Sequence, residues 1–154
     1  MPAPGAPPRP PRANQPGRLV RRLARRGDDR ADALRLFNRG VLMAEEGMIL
    51  AAVKAYSEVM DGGDAELAAR SAFNIATLSA QIGDFGWAVL NYSAAMSFGD
   101  PDVTPKAAFN LARLLERDGD LDGAQRALEL AAGSNHQHVA PQARDRLRAL
   151  GARS

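Results

Sequence analysis

The chain has 154 residues, of which 45% are hydrophobic and 25% charged, so it is long enough for one globular domain with its own core. It has no cysteine, which excludes a disulfide framework and a thiolate metal site and favours a reducing compartment such as the cytoplasm. No apolar run approaches the roughly 20 residues of a membrane-spanning helix, so we expect a soluble protein without a transmembrane segment.

The first 26 residues differ from the rest in charge. They carry seven arginines and no acidic residue, although the whole chain has a net charge of only +2. Residues 1–17 are rich in proline, which predicts a disordered or polyproline-like tail. The segment lacks the apolar stretch of a secretory signal and resembles an organelle transit peptide only loosely. One interpretation is that the arginines bind phosphate groups, either on nucleic acid or a similar polymer or on a membrane surface. The narrow apolar stripe of Leu19, Val20 and Leu23 favours a solvated helix instead.

From residue 33 onward the sequence repeats itself every 36 residues. A fixed period of this length is the sequence signature of a solenoid, in which each repeat is one supersecondary unit. We therefore expect three full repeats, over residues 33–68, 69–104 and 105–140. The period is carried by residues of the same kind: Phe37, Phe73 and Phe109; Gly47, Gly83 and Gly119; and Ala52, Ala88 and Ala124.

Each repeat is predicted to be a helical hairpin. Apolar residues follow helical spacing before the central glycine and resume that spacing after it. The glycine supplies the left-handed residue that ends the first helix, and Asp84 or Asp120, which follows it, favours the start of the second. Where the two helices cross, small residues are expected to face each other: Gly40, Ala76 and Ala112 on the first helices, and Ala52, Ala88 and Ala124 on the second.

Partial repeats are expected at both ends. Gly27-Asp28 lies one period before Gly63-Asp64, so residues 18–32 are predicted to be a half-repeat that ends in a turn. Residues 141–151 align with a first helix but carry charged side chains at usually apolar positions, which indicates a polar capping helix. The prediction is an all-α solenoid over residues 18–151, with three full 36-residue repeats, two flanking half-repeats and eight helices.

The repeats resemble the tetratricopeptide repeat (TPR). That family has a small residue midway along the first helix, Gly-Asp at the turn, then alanine, an aromatic residue and alanine. The period of 36 exceeds the usual length of about 34 residues. A Sel1-like repeat is the alternative, but that family lengthens the turn inside the hairpin, which is short here. The matching residues in the last two copies are Ala76, Gly83, Asp84, Ala88, Tyr92 and Ala95, then Ala112, Gly119, Asp120, Ala124, Leu128 and Ala131.

The resemblance implies a non-enzymatic protein–protein interaction module with an adaptor or scaffold role. In that family the first helices line a concave groove, where asparagine binds the backbone of an extended peptide; a carboxamide both donates and accepts, so it can pair with any peptide bond. Basic residues beside the asparagines favour an acidic segment, and the family's clamp for C-terminal carboxylates is not reproduced, so the expected ligand is an extended internal or acidic peptide. The alternative is that the asparagines only stabilise the solenoid. The phenylalanines either contact the ligand or pack between first helices. The predicted groove residues are Phe37, Asn38, Arg70, Phe73, Asn74, Lys106, Phe109, Asn110, Arg113 and Arg117.

A second contact surface is predicted on the second helix of the middle repeat. Trp87, Leu90 and Ala94 are spaced i, i+3, i+7, whereas the matching positions of the other repeats are mostly small or polar. An exposed apolar patch of this kind favours weak self-association or a second partner, and intramolecular packing is the alternative.

Two motifs that suggest a metal are interpreted as parts of the repeat. The run from Asp118 to Glu129 matches a calcium loop, but the repeat places a helix from about Asp122 onward, and a helix cannot wrap its carboxylates around one ion. His136 and His138 have no cysteine and no consistent carboxylate set around them. No phosphate loop, catalytic triad or acid pair is visible. We predict no metal, no cofactor and no enzymatic activity.

Overall fold

The computed structural model describes the backbone of residues 16–152 and the side chains of residues 24–152. Most of the predicted tail, residues 1–15, lies outside the described residues. Over the described range the chain forms seven helices and no strand, and none of these helices is long and apolar enough to cross a membrane. The helices are α1 (Pro16–Glu45), α2 (Ile49–Asp61), α3 (Ala65–Gln81), α4 (Phe85–Ser97), α5 (Val103–Asp118), α6 (Leu121–Ala132) and α7 (Val139–Gly151).

The helices stack into a solenoid of hairpins. Each packs chiefly on the helix before it and the helix after it, so α1–α2, α3–α4 and α5–α6 form hairpins and α7 closes the stack. The first helices also contact one another in order, α1 with α3, α3 with α5 and α5 with α7, while no comparable contact joins the second helices within the described part. The first helices are therefore the inner layer of a curved stack, and the predicted all-α solenoid is confirmed.

Glycine and aspartate set the turns inside the hairpins, as predicted. The Asp84 carboxylate accepts a hydrogen bond from the backbone N–H of Trp87 at 3.1 Å. The Asp120 carboxylate accepts one from the backbone N–H of Gly123 at 2.8 Å. Each bond satisfies an otherwise unpaired donor at the start of the second helix. The turn glycines all have the left-handed backbone that glycine adopts without strain: Gly47 (φ 77°), Gly83 (φ 83°) and Gly119 (φ 86°).

The links between hairpins use the same two residue types. Gly63 and Gly99 have φ angles of 81° and 68°. Asp64 and Asp100, which follow them, each accept a hydrogen bond from a backbone N–H three residues on, at 2.9 and 2.8 Å. The links before α3 and α5 are thus defined by a left-handed glycine and a capping carboxylate.

In the last link, His136 takes the place of the capping aspartate. Its Nδ1 accepts from the backbone N–H groups of His138 and Val139, at 3.3 and 3.2 Å. Its Nε2 lies 3.3 Å from Asp102 Oδ1, in the preceding link. Because Nδ1 accepts, the proton of the neutral ring is on Nε2 and points towards Asp102. The pKa of Asp102 is lowered, chiefly by the hydrogen bond from Lys106, with smaller contributions from His136.

Small residues fill the helix crossings, as predicted. In the first crossing the nearest neighbour of Gly40 is the ring of Tyr56 instead of the expected Ala52, and glycine is required because a Cβ on Gly40 would lie 2.9 Å from Cε1 of Tyr56. The other two accept alanine, and the alanines of the two helices share a core cluster. The fully buried crossing residues are Ala52, Ala76, Ala88, Ala112 and Ala124.

One prediction is wrong: residues 18–32 do not end in a turn. Helix α1 runs unbroken through Gly27 and Asp28, so the described chain has seven helices instead of eight. The side chains of residues 24–32 are all exposed, and the apolar ones among them are only Ala24 and Ala31, so folding this segment back would bury little apolar surface of theirs. A helix that has already formed extends by one hydrogen bond per residue, and here it continues. The segment predicted as a capping helix over residues 141–151 corresponds to α7.

Candidate peptide-binding groove

One face of the first helices recurs every 36 residues at four positions. The positions are spaced four, three and four residues apart, which places them on one side of a helix. Since the first helices form the inner layer, a groove lined by these positions lies on the concave side. The four positions hold Arg70, Asn74, Thr77 and Gln81 on α3, and Lys106, Asn110, Arg113 and Arg117 on α5.

A groove of about 520 Å³ lies on this face between α3, α5 and α7. Three residues predicted from the sequence line it: Asn110, Arg113 and Arg117. Other lining residues were missed, although Thr77 and Gln81 stand one period before Arg113 and Arg117 and the repeat register could have found them. The missed residues are Thr77, Ala80, Gln81, Phe85, Tyr92, Leu114 and Arg146.

The predicted asparagines are in different environments. Asn38 is exposed, whereas Asn74 and Asn110 are half-buried. Burial raises the pKa of Tyr56, and a hydrogen bond with Asn74 opposes that shift. The corresponding residue of the next repeat is Tyr92, and its hydroxyl oxygen instead lies 3.2 Å from the hydroxyl oxygen of Thr77. Asn74 therefore already has a partner in the protein, while Asn110 lines the groove.

The phenylalanines pack between helices. Phe37 is 4% exposed, and its ring centroid lies 5.5 Å from that of Tyr56. Phe73 makes the same kind of contact with Tyr92, at 5.6 Å. Phe109 is half-buried against the core cluster that joins α5, α6 and α7. Phe37 in particular leaves almost no surface for a ligand.

The basic residues near the N-terminal ends of α3 and α5 are engaged within the protein. The guanidinium carbon of Arg70 lies 4.6 Å from the ring centroid of Phe37, and Arg70 is 3.9 Å from Glu66. Lys106 donates a hydrogen bond to Asp102 at 2.7 Å. Neither residue lines the groove between α3, α5 and α7.

The C-terminal half of α5 carries the positive charge of the groove. The guanidinium carbon of Arg117 lies 3.6 Å from the ring centroid of Phe85, which is a close cation–π contact. Arg146 of α7 donates two hydrogen bonds to Glu116, at 2.8 and 2.9 Å. Arg113 is exposed and has neither an acidic nor an aromatic partner among residues 24–152.

The run that matches a calcium loop belongs to the turn between α5 and α6. Asp118 is the last residue of α5, Asp120 caps α6, and Asp122 lies in the first turn of α6. Within the described residues, no three histidine, aspartate or glutamate side chains come together as a metal site would require.

The predicted second surface consists of two exposed residues and one shielded residue. Trp87 and Leu90 are 49% and 60% exposed. Ala94 is half-buried and packs against the core cluster formed by α3, α4 and α5. The exposed apolar area on α4 therefore comes from Trp87 and Leu90.

No family model matches the chain, and no curated protein matches its sequence. Solved structures do match. PcrH, in complex with the chaperone binding region of PopD, has a TM-score of 0.67 at 22% identity, covering 80% of this chain and 94% of that chain.

SycD, the type III secretion chaperone of Yersinia enterocolitica, matches in two structures. In complex with a peptide of the translocator YopD it has a TM-score of 0.65 at 17% identity, covering 77% of this chain and 92% of that chain. In the other structure the TM-score is 0.63 at 17% identity, with 77% and 83% covered. At these identities the matches show the fold: this chain has the helical-repeat solenoid of those chaperones.

Proposed function

We propose that this protein is a non-enzymatic TPR-like module that binds an extended segment of a partner protein in the groove between α3, α5 and α7. The observation that carries the proposal is the meeting of polar side chains from two successive repeats along one groove. Thr77 and Gln81 come from the middle repeat, and Asn110 and Arg113 from the next. The groove is concave and belongs to the inner layer, where a segment laid across the helices would contact several repeats at once.

The side chains in the groove suit an extended backbone. Asn110 and Gln81 each offer both a donor and an acceptor, and the Thr77 hydroxyl does the same, so they can pair with peptide groups whatever the ligand's side chains are. Neighbouring helices lie roughly 8–10 Å apart, which is about three residues of an extended chain. Equivalent positions on α3 and α5 would therefore contact peptide groups about three residues apart.

The comparisons support a peptide ligand. PcrH and SycD have the same fold, and their structures include a segment of PopD and a peptide of YopD. A solenoid of this size can thus accommodate a segment of another protein. The adaptor or scaffold role that we propose for this chain rests on the same property.

The test is a selection of binders from a random peptide library of about 12 residues, followed by affinity measurements on the selected peptides. We expect Asn110→Ala to weaken binding roughly two- to tenfold, the worth of one hydrogen bond, with no change in melting temperature. Asn135→Ala, at an exposed position in the last link, is the matched control and should bind as the wild type does.

Two outcomes would contradict the proposal. One is that the wild-type protein selects no peptide. The other is that Asn110→Ala lowers the melting temperature and leaves binding intact, which would give the asparagine a purely structural role. Asn74→Ala is a poorer test, because Asn74 does not line this groove and interacts with Tyr56 instead.

A further inference from the structure

The concave face is not uniformly charged. The four positions of α1 hold Leu34, Asn38, Val41 and Glu45, so that helix contributes no basic residue to the face. On α5 the last two positions are Arg113 and Arg117, and both line the groove. Positive charge is therefore concentrated at one end of the groove, beside α7.

No acid in the described part of the chain neutralises this pair of arginines. Two acids flank Arg117 in sequence, Glu116 and Asp118. Glu116 is bound by Nε and Nη2 of Arg146, and its side chain is only 11% exposed. Asp118, the last residue of α5, forms no ion pair with either arginine. Like charges four residues apart on a helix repel each other. An anion held between Arg113 and Arg117 would be attracted to both side chains and would offset the repulsion between them.

Arg117 is positioned in advance for such an anion. Its guanidinium carbon lies 3.6 Å from the ring centroid of Phe85, and this cation–π contact holds the group without a carboxylate partner. Because the side chain is already held, less conformational entropy is lost on binding. Tyr92 and Leu114 also line this part of the groove, and apolar surroundings strengthen a charge pair relative to open water.

We propose that Arg113 and Arg117 form a subsite for a carboxylate of the bound peptide, with Phe85 as the positioning residue of Arg117. The inference rests on the proposed function, because the carboxylate belongs to the segment in the groove. The groove continues past the pair on both sides, towards Gln81 and towards Arg146. The carboxylate is therefore an internal aspartate or glutamate, and the chain terminus of the ligand lies elsewhere.

Two random peptide libraries test the subsite on the full chain, one with both peptide ends fused and one with a free C-terminus. From the fused library the wild type should select peptides with aspartate or glutamate at one fixed position. Changing that residue to its amide should weaken binding about tenfold. The Arg113→Gln/Arg117→Gln variant should bind the acid and the amide peptides equally. Arg126→Gln, an exposed arginine on α6 outside the groove, is the control and should retain the preference.

The outcomes separate this inference from the proposed function. Selected peptides without any acidic preference overturn the subsite and leave peptide binding standing, whereas a failure to select any peptide overturns both. An acidic preference that appears only with free C-termini overturns the assignment to an internal residue. Phe85 also lines the groove, so Phe85→Leu should weaken binding of both peptides, and the loss should be larger for the acid peptide than for the amide peptide; equal losses for both peptides would overturn the positioning role.

Discussion

Gly27-Asp28 and Gly63-Asp64 are the same dipeptide one repeat apart, yet the first lies inside a helix and the second lies between two. At Gly63 the backbone is left-handed, with φ of 81°, and Asp64 caps α3. At Gly27 the helix α1 continues without interruption. Neither glycine has any atom within 4 Å of the position that a Cβ would take, so local crowding does not distinguish them.

The difference lies in what the flanking helices can bury. The helix before Gly63 packs on both α1 and α3, and Tyr56 and Val59 from that helix are almost fully buried. Before Gly27, the described side chains from Ala24 onward are all exposed. A turn signal permits a turn, but buried apolar surface decides whether the chain takes it.

Arg30 makes the two copies interact. Its guanidinium pairs with Asp64 and with Glu66, the latter at 2.8 Å, so the stretch just after the first dipeptide contacts the helix start created by the second. Arg30 and Glu66 are about half exposed, and pairs that involve exposed charges contribute little to stability. Arg30 therefore links α1 to the start of α3, but packing and not this ion pair determines the conformation of each.

Overfilling a helix crossing should cost the most stability, because packing at the crossings stabilises the hairpins. Ala88 is fully buried, so Ala88→Leu should lower the free energy of unfolding by about 1–3 kcal/mol. Urea denaturation would measure the change. Gly86→Ala is the control: the site is exposed and its new Cβ would come no closer than 4.0 Å to Asp84 Oδ1. Equal stability of Ala88→Leu and wild type would mean that the crossing tolerates bulk.

The dipeptides themselves give the next largest effect, and it should have opposite signs at the two copies. Gly63→Ala forces a left-handed backbone on alanine and should destabilise by about 1–2 kcal/mol. Gly27→Ala places alanine in a helix and should stabilise that helix by up to about 1 kcal/mol. Thermal unfolding and helicity by circular dichroism would report both. A loss of stability in Gly27→Ala would show that a turn forms there in solution.

The smallest effect concerns the aspartates. Asp64→Ala removes a helix cap and should cost about 1 kcal/mol, whereas Asp28→Ala, in the middle of a helix, should cost nothing. Because Asp64 also pairs with Arg30, the change should be repeated in an Arg30→Gln background. If the loss vanishes in that background, the ion pair and not the cap accounts for the effect.

The sequence predicted most of the fold because its signals are local. Gly83 and Gly119 ended helices where expected, and the aspartates after them capped the next helices. The turn predicted at Gly27 is wrong because the turn signal is local, whereas the burial of apolar side chains that decides whether the chain turns depends on other helices. The glycine and aspartate positions therefore predict turns correctly within the full repeats. They fail before α1 is complete, where the segment has no second helix to pack against.

The groove was less predictable than the fold. Arg113 and Arg117 follow from the repeat register. Phe85 does not, because its contact with Arg117 joins a second helix to the next first helix. The bond between Asn74 and Tyr56 likewise joins two repeats. A pattern within one repeat carries no information about such contacts, so the role of each asparagine required the three-dimensional arrangement.

Helix α7 is the last of the described helices and packs chiefly on α6, and helices at the end of a stack fray most easily. Two contacts reach past α6 to α5: Arg146 binds Glu116 on α5, and His136, just before α7, contacts Asp102 at the start of α5. Fraying of α7 therefore has to break bonds with α5 as well as with α6. We expect amide hydrogens in the interior of α7 to exchange with solvent nearly as slowly as those of α6. The side of the groove that α7 forms should therefore stay in place.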